Sequence, residues 1–169
     1  MRANENSTLE QQLNAEVRRF SKRVTARVKK LGLHEFLQPD TDVKLLEFTD
    51  ITKLADQEVG RRYFAIQQWA AYAQACSTRA DIEVVYAKEQ MEEVFSKGIL
   101  RAEGSSAEDR KAEAKISPRH RYWAKVYLEK LAVYKLLHTS SLGYERFADA
   151  YSREISRRRI AWESSREAR

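Results

Sequence analysis

Cysteine, proline and glycine are all scarce in this chain: one, two and five in 169 residues. A lone cysteine, Cys76, excludes an intramolecular disulfide and fits a reducing compartment. It lies in an alanine-rich stretch and reads as a small buried apolar residue. With so little glycine and proline, the chain lacks the turn signals of a β sandwich or barrel. Long apolar runs are missing as well. No stretch reaches the ~18 apolar residues of a membrane span, and Met1-Arg2-Ala3-Asn4-Glu5-Asn6 has no signal-peptide centre. The expected location is cytoplasmic, without membrane contact.

Catalytic patterns are also absent. His34, His120 and His138 sit in unrelated segments, with no cysteine or carboxylate spacing that suits a metal. There is no glycine-rich phosphate loop, no Gly-x-Ser-x-Gly and no short-range Cys–His pair. Glu92-Glu93 falls on a helix flank as solvated charge. No catalytic residue, metal or cofactor is therefore expected, and the chain is not expected to be an enzyme.

What the chain does have is charge, at 33%, beside 43% hydrophobic and 10% aromatic residues. That mixture belongs to long amphipathic helices, and the aromatics argue against disorder. The net charge of +6 is unevenly placed. Residues 1–31 hold eight Lys/Arg against three acids, 32–60 two against seven, and 118–169 twelve against six. Two basic ends flank an acidic segment, a pattern suited to a polyanion or to a neighbour's opposite charge.

Periodicity sets the expected elements. Ser7 and Glu10 read as a capping box opening a first helix. Leu9, Leu13, Val17, Phe20, Val24, Val28 and Leu31 form its apolar stripe, and Gly32 a left-handed stop. Its other faces carry Arg18, Arg19, Lys22, Arg23, Arg27, Lys29 and Lys30. Such a helix lies on a partner, on nucleic acid or on an anionic membrane, or else presents a solvated face. Residues 33–50, with Pro39-Asp40-Thr41-Asp42, read as an acidic loop or linker.

Ile66, Ala70, Ala73, Ser77, Ala80, Val84, Ala87, Met91, Val94 and Gly98 then alternate steps of four and three. This is a heptad seam, with Val84, Ala87, Met91 and Val94 expected to pack against another copy. A helix over 53–101 would be roughly 70 Å long. Ser105 and Glu108 read as a second capping box, and Asp109–Ile116 as a short helix. Ser117-Pro118 reads as the start of a final helix, with a kink or break near 140–143. The expected architecture is all-α: long amphipathic helices in a helical hairpin or coiled-coil bundle, forming a homo-oligomer. Its parts are 1–32, a basic amphipathic helix; 33–50, the linker; and 51–169, a hairpin core with an arginine-rich C-terminal helix.

Arg146, Arg153, Arg157 and Arg158 fall on one broad side of that last helix, and Arg159 adds to the cluster. Guanidinium groups there could follow a phosphate backbone, while Tyr151 and Trp162 could stack on unpaired bases. Tyr151 and Ile155 equally fit the apolar seam, and arginines flank seams to pair with acids. Arg18, Arg19, Lys22 and Arg23 form the second-ranked phosphate site.

Residues 50–160 carry a diffuse resemblance to the UvsY-type recombination mediators of tailed phages. It rests on Ile51-Thr52-Lys53-Leu54 leading into a long helix with Trp69 and Tyr72, and on a polar break at Asp109-Arg110. Tyr122-Trp123, opening a helix with Leu128 and Leu131, completes it. The resemblance implies a ring-forming protein that binds single-stranded DNA and loads a recombinase. In that family basic residues late in the long helix help hold DNA, a place near which Lys97 and Arg101 fall. The basic helix before residue 32 and the arginine-rich end have no counterpart there. The expected function is thus a non-enzymatic single-stranded-DNA-binding accessory factor that supports a recombinase or replication ATPase. The alternative is a structural or adaptor bundle whose basic ends bind another protein, such as a phage regulator of a host enzyme.

Overall fold

In the computed structural model the chain is all-α, with four helices and no strand among the described residues. The structure describes residues 2–30, 38–40 and 50–167, with the backbone alone for 2–7 and 28. Helix α1 spans Arg2–Lys30, α2 Asp56–Arg101, α3 Ala107–Ile116 and α4 Pro118–Glu167; a 3₁₀ turn, Ile51–Lys53, precedes α2. Helix α1 begins five residues before the expected cap, so Ser7 is an internal helical position. The Gly32 stop and most of the 33–50 linker lie outside the described residues.

Each helix end has a local cause. Asp50 caps the 3₁₀ turn, accepting from Thr52 N at 3.1 Å and from Thr52 Oγ1 at 2.6 Å. Asp56 and Glu58 in the first turn of α2 complement its positive end. The capping box of α3 sits one residue later than expected, on Ser106 and Asp109. Ser106 Oγ accepts from Asp109 N at 3.0 Å, and Asp109 Oδ2 accepts from Ser106 N at 3.2 Å. Ser106 holds the extended backbone that a cap requires. Ser117 closes α3 and also opens α4: its Oγ accepts from His120 N at 3.3 Å, and Pro118 takes the first helical position.

The expected break at 140–143 does not form: α4 runs on through this stretch, where packing outweighs weak helix propensity. Ser141 is completely buried and donates to Gln74 Oε1 at 2.8 Å. Thr139 and Ser140 turn their hydroxyls onto the carbonyls of Lys135 and Leu136, one turn back.

The chain divides into two compact units. The first takes Met1–Glu35 and Arg79–Tyr134; the second takes Phe36–Thr78 and Lys135–Arg169. The first unit's core is Leu13, Ala87, Trp123 and Val126, with Leu9, Val17, Met91 and Val94 packed against it. Tyr86 stacks on Phe20 at 3.7 Å and meets Trp123 edge-on at 5.8 Å. Polar contacts fix α1: Tyr122 donates to Asn14 at 2.9 Å, and Glu83 accepts from both Ser21 and Lys130.

In the second unit Val59, Ile66, Ala148 and Tyr151 form the core, and Trp69 stacks on Tyr144 at 6.1 Å. Cys76 is half-buried, more open than expected, and a hydrogen bond with it raises the Tyr72 hydroxyl pKa.

The heptad seam exists, but its partner is internal. Val84 and Ala87 are buried within one copy, and Met91 and Val94 pack on the same core. The expectation that these four residues face another copy is corrected: Val84 and Ala87 are buried within the chain, and Ala87, Met91 and Val94 pack with Leu13 of α1 and Trp123 and Val126 of α4. Gly98, the last seam position, lets α3 approach closely, since a Cβ there would come within 2.9 Å of Ala114 Cβ. Gly60 and Gly143 differ, having nothing within 4 Å of an added Cβ, inside continuous helices. Gly60→Ala and Gly143→Ala should each stabilise the chain by about 0.5–1 kcal/mol. Thermal melts should then rise by roughly 1–4 °C per substitution. A fall in melting temperature would contradict the open space described.

Candidate nucleic-acid interface

Helix periodicity dictates where the cations of α1 point. With Leu9, Leu13, Val17, Phe20 and Val24 turned to the core, positions 18, 19, 22, 29 and 30 occupy the opposite half of the helix, with 23 at its edge and 27 in line with Leu9. All seven of these basic side chains are exposed. No acid occurs between Val17 and Lys30. None of the seven takes part in an ion pair or hydrogen bond among the described residues. On the flank, Arg79 of α2 donates to Thr25 Oγ1 at 3.0 Å, which places one more guanidinium beside α1. Among the described residues the only acid of α2 bonded to α1 is Glu83, and Lys130 already engages it at 2.6 Å. The result is an uncompensated positive face.

The C-terminal cluster is arranged differently. Glu154 is 7% exposed and accepts from Arg157 Nε and Nη2 at 2.8 and 2.7 Å, and from Arg158 Nε at 2.7 Å. Arg158 also pairs with Asp56 and donates to the carbonyls of Ile51 and Thr52 at 3.1 and 3.2 Å. Its side chain is only 19% exposed. Arg158 is therefore a clamp holding α4 to the 3₁₀ turn and the start of α2, and its expected role as a phosphate contact is corrected. Arg159 is exposed but paired with Glu163 at 2.8 Å. Arg146 and Arg153 are exposed without an ion pair among the described residues.

The other expected residues scatter. Tyr151 is buried at 6%, so it cannot stack on a base. Trp162 remains 59% exposed, with the Arg166 guanidinium 4.8 Å from its ring centroid. Lys97 pairs with Glu93 one turn earlier, and Arg101 is exposed at the end of α2. Sequence reasoning missed the Arg158 clamp. Its signal was there: 151, 154 and 158 follow the three-four spacing of a buried seam.

Among the described residues no group of three or more His, Cys, Asp or Glu could hold a metal, and no helix is long and apolar enough to cross a membrane. His120 packs on Phe95 with ring centroids 5.5 Å apart, and its Nδ1 lies 3.1 Å from the Lys115 carbonyl. His34 lies outside the described residues.

Hydrogen bonds from Arg157, and then Arg158, pull the Glu154 carboxyl from 4.5 to about 2. The folded carboxylate thus binds its proton more weakly than the unfolded one. Its stabilisation is complete above about pH 4.5 and is lost as pH falls towards about 2. Asp50 and Asp109 are lowered in the same sense, chiefly by side-chain hydrogen bonds from Thr52 and Ser106 respectively. Glu154→Gln should destabilise the chain at pH 7 and flatten its loss of stability between pH 4.5 and 2, read by urea unfolding at each pH. An unchanged acid profile would deny the clamp its energetic role.

No protein-family model matches the chain, and comparison finds no similar curated protein and no similar solved structure.

Proposed function

We propose that this chain is a non-enzymatic, DNA-binding accessory factor of the kind that supports a recombinase or replication ATPase. The observation that carries this reading is the basic face of α1: seven exposed cations with no acid among them. A surface of that kind attracts a polyanion because each phosphate contact releases condensed counterions. The role in recombination comes from the resemblance to UvsY-type mediators, in which several copies present single-stranded DNA to a partner enzyme. Assembly would let weak contacts on each copy add. In this proposal, with the α2 seam filled internally, assembly uses surfaces other than Val84, Ala87, Met91 and Val94. Single-strand binding would draw on Trp162, since Tyr151 is buried.

A second reading has its own support. Ile160 and Trp162 are 63% and 59% exposed on a helix end whose residues 159–167 are all exposed. Apolar exposure at a helix end suits a protein-docking adaptor. Fluorescence anisotropy with labelled oligonucleotides at 50 and 200 mM salt separates the two, with mass measured by light scattering on the same sample. DNA binding should weaken steeply with salt. No DNA binding at the lower salt would leave the adaptor reading in place.

A further inference from the structure

We infer that the basic face of α1 grips the backbone of duplex DNA on both sides of its major groove, without reading bases. The inference rests on the DNA-binding reading above; it assigns duplex to the α1 face and leaves single-strand binding to the end of α4 that carries Trp162.

At about 100° per residue, six of the seven cations fall into two rows, with Arg27 outside both. Arg18, Lys22 and Lys29 lie within about 40° of one another, and Arg19, Arg23 and Lys30 form a second row about 100° around the axis. Extended Arg and Lys side chains on rows about 100° apart diverge to opposite sides of the exposed helix face. The major groove is about 12 Å wide and admits one helix. Each row therefore reaches one wall of the groove, and each wall belongs to a different strand. Along the axis, 18 to 29 and 19 to 30 each rise about 16 Å, which passes about five phosphates at 3.4 Å per strand. A single strand can follow one row at a time and leaves the other without a partner.

The centre of the face is chemically plain. Ala15 and Ala26 lie between or beside the rows, and Ala26 is exposed. Alanine carries no donor or acceptor with which to tell one base pair from another. Stacking on unpaired bases has no carrier here either. The rings of this unit nearest α1, those of Phe20, Tyr86, Tyr122 and Trp123, are engaged with one another, and Tyr122 is further tied to Asn14 by its hydroxyl. Duplex backbone is the ligand that uses both rows and asks nothing of the centre.

The test is a competition titration on the full chain, with a mixed-sequence duplex and its separated strands at equal nucleotide concentration. Two variants accompany it: Arg18→Gln/Lys22→Gln/Lys29→Gln and Arg19→Gln/Arg23→Gln/Lys30→Gln. These exposed positions leave the fold intact, which circular dichroism verifies. Duplex should compete at least about tenfold better than single strand, and each variant should lower the duplex salt slope by about 2.7. If single strands compete equally and only one row affects the slope, the two-strand geometry is wrong while DNA binding stands. If neither form binds with salt dependence, the DNA-binding reading fails with it. If duplex binds but both variants match the parent chain, α1 is not the site and the inference is overturned.

Discussion

Trp123→Ala should destabilise the chain by about 3–5 kcal/mol, the range for removing a large buried aromatic. Trp123 is 1% exposed and central to the first unit. Tyr86 and Tyr122 both meet it edge-on, at 5.8 and 5.5 Å, and Tyr86 in turn stacks on Phe20 of α1. Removing the indole takes away buried apolar area and also the surface against which the ring stacked on α1 is set. A domain's whole stability is about 5–15 kcal/mol, so this one change consumes a large share. Urea unfolding followed by circular dichroism measures it. Leu128→Ala, at a position 62% exposed on the same helix, should stay within about 0.5 kcal/mol of the parent. Equal effects from the two substitutions would contradict the packing described.

Arg18→Gln/Arg19→Gln/Lys22→Gln/Arg23→Gln should weaken DNA binding at low salt by at least about a hundredfold. Counterion release sets this scale: four lost contacts remove about 3.6 logarithmic units of affinity per tenfold dilution of salt. The matching change at the other end, Arg153→Gln/Arg157→Gln/Arg159→Gln, should stay within about tenfold of the parent. Arg157 and Arg159 already face Glu154 and Glu163, and a phosphate would have to displace those carboxylates. Arg158 is left unchanged in this variant because it holds α4 to Ile51, Thr52 and Asp56. Anisotropy titrations of both variants, run beside the parent, decide which end carries the charge that matters. A larger loss from the C-terminal variant would reverse the order proposed.

Much of the fold was legible because helix periods of 3.6 and 3.5 leave their mark directly on sequence. The stripe Leu9, Leu13, Val17, Phe20 and Val24 turns one side of α1 inward, and the α2 seam from Ile66 to Ala87 is buried at every position but Ala70, which is half-buried. Periodicity cannot say which helix fills a seam: it points Val84 and Ala87 at another copy as readily as inward, and both are buried within the chain, Ala87 against Leu13 of α1 and Trp123 of α4. Helix ends were legible to within one residue where two serines compete. Ser105 and Ser106 both bond Asp109, and backbone conformation selects Ser106 as the cap. At the site, charge density favoured the C-terminal arginines, but density ignores pairing. Glu154 lies three and four residues before Arg157 and Arg158, the spacing of helical ion pairs, and it takes both. No acid follows Val17 in α1, and Glu16, three residues before Arg19, pairs with Arg119 instead, which leaves the cations of α1 open.

The salt dependence of DNA binding is the most direct test of the central claim that the basic face of α1 engages phosphates. Plotting log K against log salt for the parent chain and the Arg18/Arg19/Lys22/Arg23→Gln variant should give a steep line and a shallower one. Their slopes should differ by about 3.6. Equal slopes for the two proteins would contradict the claim, whatever their absolute affinities.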